Sequence, residues 1–343
     1  MCFCRSFCKI SPVNEAQQRR QQPARARVAI PSIRSMSRVF WVWPVLFGVI
    51  EIILRSQDLR IGLALYAVVA LMLILNRAFF STAQPQGSLD LALLLVPLTR
   101  LISHALPLHL ISRDAWVLAS SVPMLVATTF AISYMQPVHA MLPLRFGNLL
   151  VQGMLALGGF GLGALIGPLA PLLSLQTVGV EGVSAAASND VPWLIQAISP
   201  AAGLFLAGIC EELILRGLVQ PMAGRGGVIY AALLSAALNL GSLSLARVGL
   251  VFVVSLLLGL AVQWSRSVSG VALAHGVINV VVLLLWPHAS VHSDGLLAAV
   301  LPWLVGVGGL TFIAALVILA LKPAQGTTRD IDLAPTTSQT PSA

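Results

Sequence analysis

Apolar stretches close to the ~20 residues that a helix needs to cross hydrocarbon recur from Val39 to Leu321, separated by short polar or Gly- and Pro-bearing breaks. They predict helices at Val39–Leu54, Ile61–Phe79, Leu89–Ile111, Ala115–Tyr134, Leu149–Leu175, Trp193–Gly217, Val228–Leu245, Val248–Trp264, Ser269–Trp286 and Leu296–Leu321. The first and eighth are short, and the pair around Arg247 permits a merger, so about ten spans are expected, with eight to ten allowed. Backbone polar groups in lipid must be satisfied within each segment, so the pattern predicts an all-α fold, a polytopic transmembrane helical bundle.

Composition removes the soluble alternative. The chain is 57% hydrophobic and 9% charged, with a mean hydropathy of +0.91. An ordinary soluble domain is roughly a quarter charged, and 343 residues of this composition have too few polar side chains to cover a water-facing surface. The expected organisation is a basic leader over 1–38, one membrane domain over 39–321, and a tail over 322–343. The tail is rich in Thr, Ser, Gln and Pro and is expected to be disordered, as is the leader.

The net charge of +8 suggests nucleic acid only until its placement is read. Arg5, Lys9, Arg19, Arg20, Arg25, Arg27, Arg34 and Arg38 precede the first apolar run, where a basic segment sets topology or meets anionic lipid. Nucleic acid is therefore excluded as a partner, and the bilayer is the expected one. With ten spans and the leader inside, Arg77, Arg145, Arg225, Arg266, Lys322 and Arg329 join the leader on the inner side, against Arg55, Arg60, Arg113 and Arg247 outside. Arg100 and Arg216 fall within spans and are left out of that comparison. The long outer loop 176–192 carries Glu181 and Asp190 but no base. Both termini are thus expected in the cytoplasm, with the plasma membrane as the expected location.

Cys2, Cys4 and Cys8 crowd the leader while Cys210 lies in a distant apolar run. Three close cysteines without a fourth ligand do not complete a zinc site or a disulfide framework. Met36 offers a second start just before the first span, and the Arg- and Ser-rich, acid-poor leader is compatible with a targeting peptide, although Pro23 and Pro31 oppose an amphipathic helix.

Gly159, Gly163 and Gly167 are spaced four apart, which puts small residues on one helical stripe and predicts close approach of a neighbouring helix. No strand context exists that would make them a nucleotide fingerprint. Pro97, Pro123, Pro168, Pro200 and Pro302 are expected to kink their helices, as is tolerated in a bundle with an internal cavity.

Ionisable groups inside apolar helices are the informative residues, because each is expensive there unless paired or facing water. Glu211, Glu212 and Arg216 end the sixth apolar run. Glu212 and Arg216, four apart, share a helix face and are expected to pair. Glu211 is rotated by about 100° and projects elsewhere, free to face a cavity as a general base or acid. His275 and Asn279, also four apart, are expected to present a donor pair from one face of the ninth span, and Asn239 lies within the seventh after Ser235. The proposed topology brings these groups to a common depth in the inner half of the bilayer.

Glu211-Glu212-Leu-Ile-Leu-Arg216 resembles the Glu-Glu-x-x-x-Arg motif of the CAAX protease and bacteriocin-processing (Abi) family of intramembrane glutamic endopeptidases, and His275-Gly-Val-Ile-Asn279 is similar to its later His-x-x-x-Asn motif. The resemblance, of the CAAX prenyl protease 2-like kind, covers about 193–287. It implies a membrane-embedded endopeptidase acting on a membrane-associated peptide or protein, with Glu211 activating water, Glu212 and Arg216 ordering the site, and His275 with Asn279 stabilising the oxyanion. No metal or other cofactor is implied. The family's intervening Phe-x-x-x-His is met here by Ser235-Ala-Ala-Leu-Asn239, and an amide orients water but does not accept its proton. That departure implies either an attenuated enzyme or a non-catalytic interaction, immunity or regulatory protein on the same fold. His104, His109, His139, His288 and His292 offer no obvious replacement by position, though folding can carry His104 inward. A transporter would also use buried ionisable groups, but no pair of inverted repeats is evident and the motif-bearing groups concentrate in the later half.

Overall fold

A computed structural model describes residues 38–56, 58–79, 84–105, 113–134, 143–144, 146–169, 193–291 and 296–321. The expectations for the leader up to residue 37, including Cys2, Cys4, Cys8 and Met36, for the loop 176–192, for His109, His139 and His292, and for the tail lie outside the described residues.

Ten helices of 11 residues or more occur among the described residues, one in each predicted apolar stretch. They are α1 (Val42–Ser56), α2 (Leu59–Phe79), α3 (Gln84–Ala105), α4 (Arg113–Tyr134), α5 (Leu149–Ile166), α6 (Trp193–Glu212), α7 (Gly227–Ala237), α8 (Leu245–Ser265), α9 (Ser269–Val280) and α10 (Leu296–Leu321). Segments Leu59–Phe79, Leu149–Leu169, Ala197–Met222, Leu245–Ser265, Ser269–Ala289 and Ala299–Leu321 are long and apolar enough to cross a membrane. The protein is therefore an all-α, multi-pass integral membrane protein. Large apolar side chains such as Phe79, Phe130, Trp303 and Leu310 lie exposed on the outside of the bundle, where lipid covers them.

Two predicted elements take a different form. The eighth is not short: the Ser244 hydroxyl accepts the Arg247 N–H at 3.3 Å, capping a helix that starts at Leu245 and includes Arg247. The seventh is interrupted instead. α7 stops at Ala237, Asn239 lies in the turn that follows, a 3₁₀ turn occupies Leu240–Ser242, and Leu243 takes a left-handed φ of 56°. The 11 residues of α7 rise only about 16 Å, roughly half of the hydrocarbon thickness.

Glycines set the spacing of the later helices. A Cβ on Gly159 would lie 2.5 Å from Ala274 Cα, one on Gly163 3.0 Å from Val281 Cβ, and one on Gly167 2.6 Å from Trp286 Cγ, so the predicted stripe is the seat of α9 and its continuation. Gly161, off that stripe, meets Gly308 and Gly309 of α10. Gln152 of α5 fixes the start of α9 by accepting the Gly270 N–H at 2.7 Å. α6 then lies between α4 and α9, and α1 packs against α2 and α7 around a core that includes Phe47, Ile50, Tyr66, Leu93 and Tyr230. Of the five prolines, Pro97, Pro123, Pro200 and Pro302 are inside helices and Pro168 is in the 3₁₀ turn Gly167–Leu169.

Candidate active site

Glu211 and Glu212 are the last two residues of α6, and the chain continues without a break as a π-helix over Leu213–Val219. The change of period is carried by a bond from the Gln220 N–H to the Leu215 carbonyl, five residues back. Such widened turns recur at functional sites. Here the turn buries Ile214 through Val219 while the adjacent carboxylates diverge. α9 behaves alike: His275 and Asn279 precede a second π-helix, Val281–Leu285.

Divergence separates the two glutamates in environment. Glu212 is fully buried, whereas 42% of the Glu211 side chain is exposed. Glu212 Oε1 accepts from Arg216 Nη1 at 2.8 Å and from His275 Nδ1 at 2.7 Å. Arg216, also fully buried, gives its Nη2 to the Ser255 carbonyl of α8 at 3.3 Å. An ionised carboxylate only accepts, so Glu212 holds His275 in the form that carries the Nδ1 proton and leaves Nε2 for other partners. His275 Nε2 lies 3.7 Å from Glu211 Oε2. The order Arg216, Glu212, His275, Glu211 thus runs from a buried cation to a carboxylate in the open.

That carboxylate lines a small, partly open cleft of about 50 Å³ with Val96, Thr99, Arg100 and Ser103 of α3 and Met124 of α4. Leu238, the residue before Asn239, also lines it. The Asn239 amide turns back to donate to the Ser235 carbonyl at 2.9 Å. Asn279 Nδ2 donates to the Leu204 carbonyl of α6 at 3.4 Å, a tie between helices. The structure therefore brings Glu211, Glu212, Arg216 and His275 together, while Asn239 and Asn279 make bonds of their own. Among the described residues, no group of three or more His, Cys, Asp or Glu side chains is arranged to hold a metal ion.

Residues 193–281 match the family model described as Type II CAAX prenyl endopeptidase Rce1-like. No curated protein and no solved structure matches the chain. The matched segment contains every motif residue from Glu211 to Asn279 and relates this part of the membrane domain to the broader CAAX protease family.

One charged group adjoining the cleft escaped the motif reading. Glu51 of α1, only 2% exposed, accepts the Tyr66 hydroxyl of α2 at 2.8 Å and pairs with Arg100 Nε of α3 at 3.0 Å. Both Glu51 and Arg100 interrupt predicted apolar runs, the same signal that marked Glu211. Their separation in sequence hid the pairing, and His104, whose Nδ1–H donates to the Arg100 carbonyl at 2.9 Å, is tied to its own helix.

Proposed function

We propose that this protein is an intramembrane endopeptidase that cleaves a membrane-associated peptide or protein with water activated by Glu211. The observation that carries the reading is the chain Arg216–Glu212–His275–Glu211, which leaves one carboxylate exposed in a cleft beside a histidine nitrogen 3.7 Å away. Glu211 takes a proton from water as the oxygen attacks the scissile carbonyl. His275, carrying a proton on each ring nitrogen and held through Nδ1–H by Glu212, donates its Nε2–H to the oxygen that gains charge. The proton on Glu211 passes to the departing amine, so one water is consumed and an acid and an amine are released. Arg216 and Glu212 are positioning residues, and Asn279 contributes by fixing α9 on α6. The reading includes about ten membrane passages, with both termini cytoplasmic and the cleft open toward that side.

Asn239 favours a second reading, a non-catalytic interaction or regulatory protein on the same fold, because its amide is committed to Ser235 and lacks a proton-accepting nitrogen. Purified protein in nanodiscs, offered a panel of membrane-anchored peptides, separates the two. Cleavage that disappears in Glu211→Gln supports the peptidase; a correctly folded native protein that cuts nothing on the panel while a working CAAX-type protease does would overturn it.

A further inference from the structure

We infer that Arg100 is a substrate-positioning residue whose guanidinium receives a carboxylate of the peptide lying over Glu211. The inference rests on the peptidase reading for the identity of the ligand as a peptide, but its geometry comes from α1, α2 and α3, outside the matched segment 193–281. Arg100 lines the same cleft as Glu211 and is 29% exposed, an expensive placement for a cation in an apolar helix. It is held there. Glu51 grips Nε at 3.0 Å, and Tyr66 fixes the same Glu51 oxygen from the other side at 2.8 Å.

Anchoring through Nε leaves the two terminal nitrogens. Among the described residues, Nη1 and Nη2 meet no acceptor, and Glu211 is not within ion-pairing distance. If Arg100 served only to neutralise Glu51, the paired face of the guanidinium would suffice and the rest could be buried in the core that surrounds Glu51. Instead Arg100 borders the cleft, and a guanidinium edge with two donor nitrogens is a shape matched by a carboxylate that accepts two parallel hydrogen bonds. Thr99, whose hydroxyl donates to the Val96 carbonyl at 2.9 Å, and Ser103 line the same cleft. The carboxylate can belong to the end of the peptide chain or to an acidic side chain.

The test uses three versions of one fluorescent membrane-anchored peptide in nanodiscs: a free C-terminal acid, its amide, and the amide with an Asp added. Binding is measured to Glu211→Gln protein, which holds peptide without turnover, and cleavage to protein with Glu211 intact. We expect one acidic peptide to bind about 10- to 100-fold more tightly than the plain amide, and Arg100→Gln to erase that preference while raising KM far more than it lowers kcat. Arg100→Lys keeps part of the preference. Because glutamine at position 100 strands the Glu51 charge, the pair Glu51→Gln/Arg100→Gln is measured too and loses the preference equally. Preference for the free acid alone identifies the chain terminus, and preference for the Asp peptide alone identifies a side chain. Equal binding of acid and amide, or an equal loss for both in Arg100→Gln, overturns the assignment even where Glu211-dependent cleavage stands. An Arg100-dependent acid preference without any cleavage supports the assignment and removes the peptidase reading.

Discussion

Gly208 and Gly276 mark the closest approach of α6 and α9, one turn from the carboxylates on one helix and beside His275 on the other. A Cβ on Gly208 would lie 2.7 Å from the Gly276 nitrogen and 2.8 Å from its Cα and from the His275 carbonyl carbon. All three are backbone atoms, so no side chain can swing aside. Comfortable separation begins at about 3.5 Å, and Gly208→Ala therefore pushes the helices apart by roughly 0.8 Å. Added to the 2.7 Å between Glu212 and His275, that displacement takes the contact to about 3.5 Å, outside a sound hydrogen bond. Overpacking of this kind costs about 1–3 kcal/mol of stability, and misplacing the reacting groups by ~1 Å costs about 10²-fold in rate. Gly306→Ala in α10 is the control, since a Cβ there meets nothing within 4 Å; it should be neutral or slightly stabilising. Thermal unfolding in detergent and peptide cleavage in nanodiscs report the two effects separately. A Gly208→Ala protein with native stability and native rate would refute the argument that this crossing sets the site, as would equal damage from Gly306→Ala.

The adjacent glutamates should respond oppositely to the same change. Glu212→Gln removes the counter-charge of a fully buried Arg216 and is expected to lower stability by about 3–5 kcal/mol, read by thermal unfolding. Glu211→Gln, in the open cleft, should unfold close to the native temperature while cleavage is lost. Asn239→His supplies a nitrogen able to accept a proton and is expected to raise any peptidase rate, with Asn239→Ala slower than native; identical rates for all three, measured at matched folded concentration, would put residue 239 outside water activation. Gln152→Ala strands the Gly270 N–H that it now accepts and should cost about 1–3 kcal/mol, visible as a lowered unfolding temperature with the cleft residues unchanged.

Much of the helix inventory was legible because each apolar run is bounded by its own breaks. α10 spans Leu296–Leu321, the limits of the apolar run itself, and the Gly159, Gly163 and Gly167 stripe faces the helix it was expected to face in kind. What hydropathy does not register is hydrogen-bond period. Leu213–Val219 and Val281–Leu285 are as apolar as the α-helical turns before them, so their i+5 bonding left no trace in the pattern. Nor did it reveal the end of α7. Leu240 and Leu243 continue the apolar run through a turn that is held by Ser242 Oγ on the Asn239 carbonyl at 2.8 Å.

The charged residues divide along a similar line. Glu212 and Arg216 were paired correctly because four residues of one helix define their geometry in advance. His275 joined them only through the glycine crossing of α6 and α9, a contact that no local spacing encodes. Glu51 and Arg100 are the limiting case, since each was visible as an ion in an apolar run and neither had a local partner. Leaving the buried Glu51 without its counter-charge would cost about 3–5 kcal/mol, which favours the fold in which α1 and α3 bring the pair together. Their pairing then holds a cation in the lining of the cleft that Glu211 also lines, so the cleft draws both on the matched segment and on helices outside it. A search confined to the motif-bearing segment finds Glu211 and misses Arg100 in the same cleft.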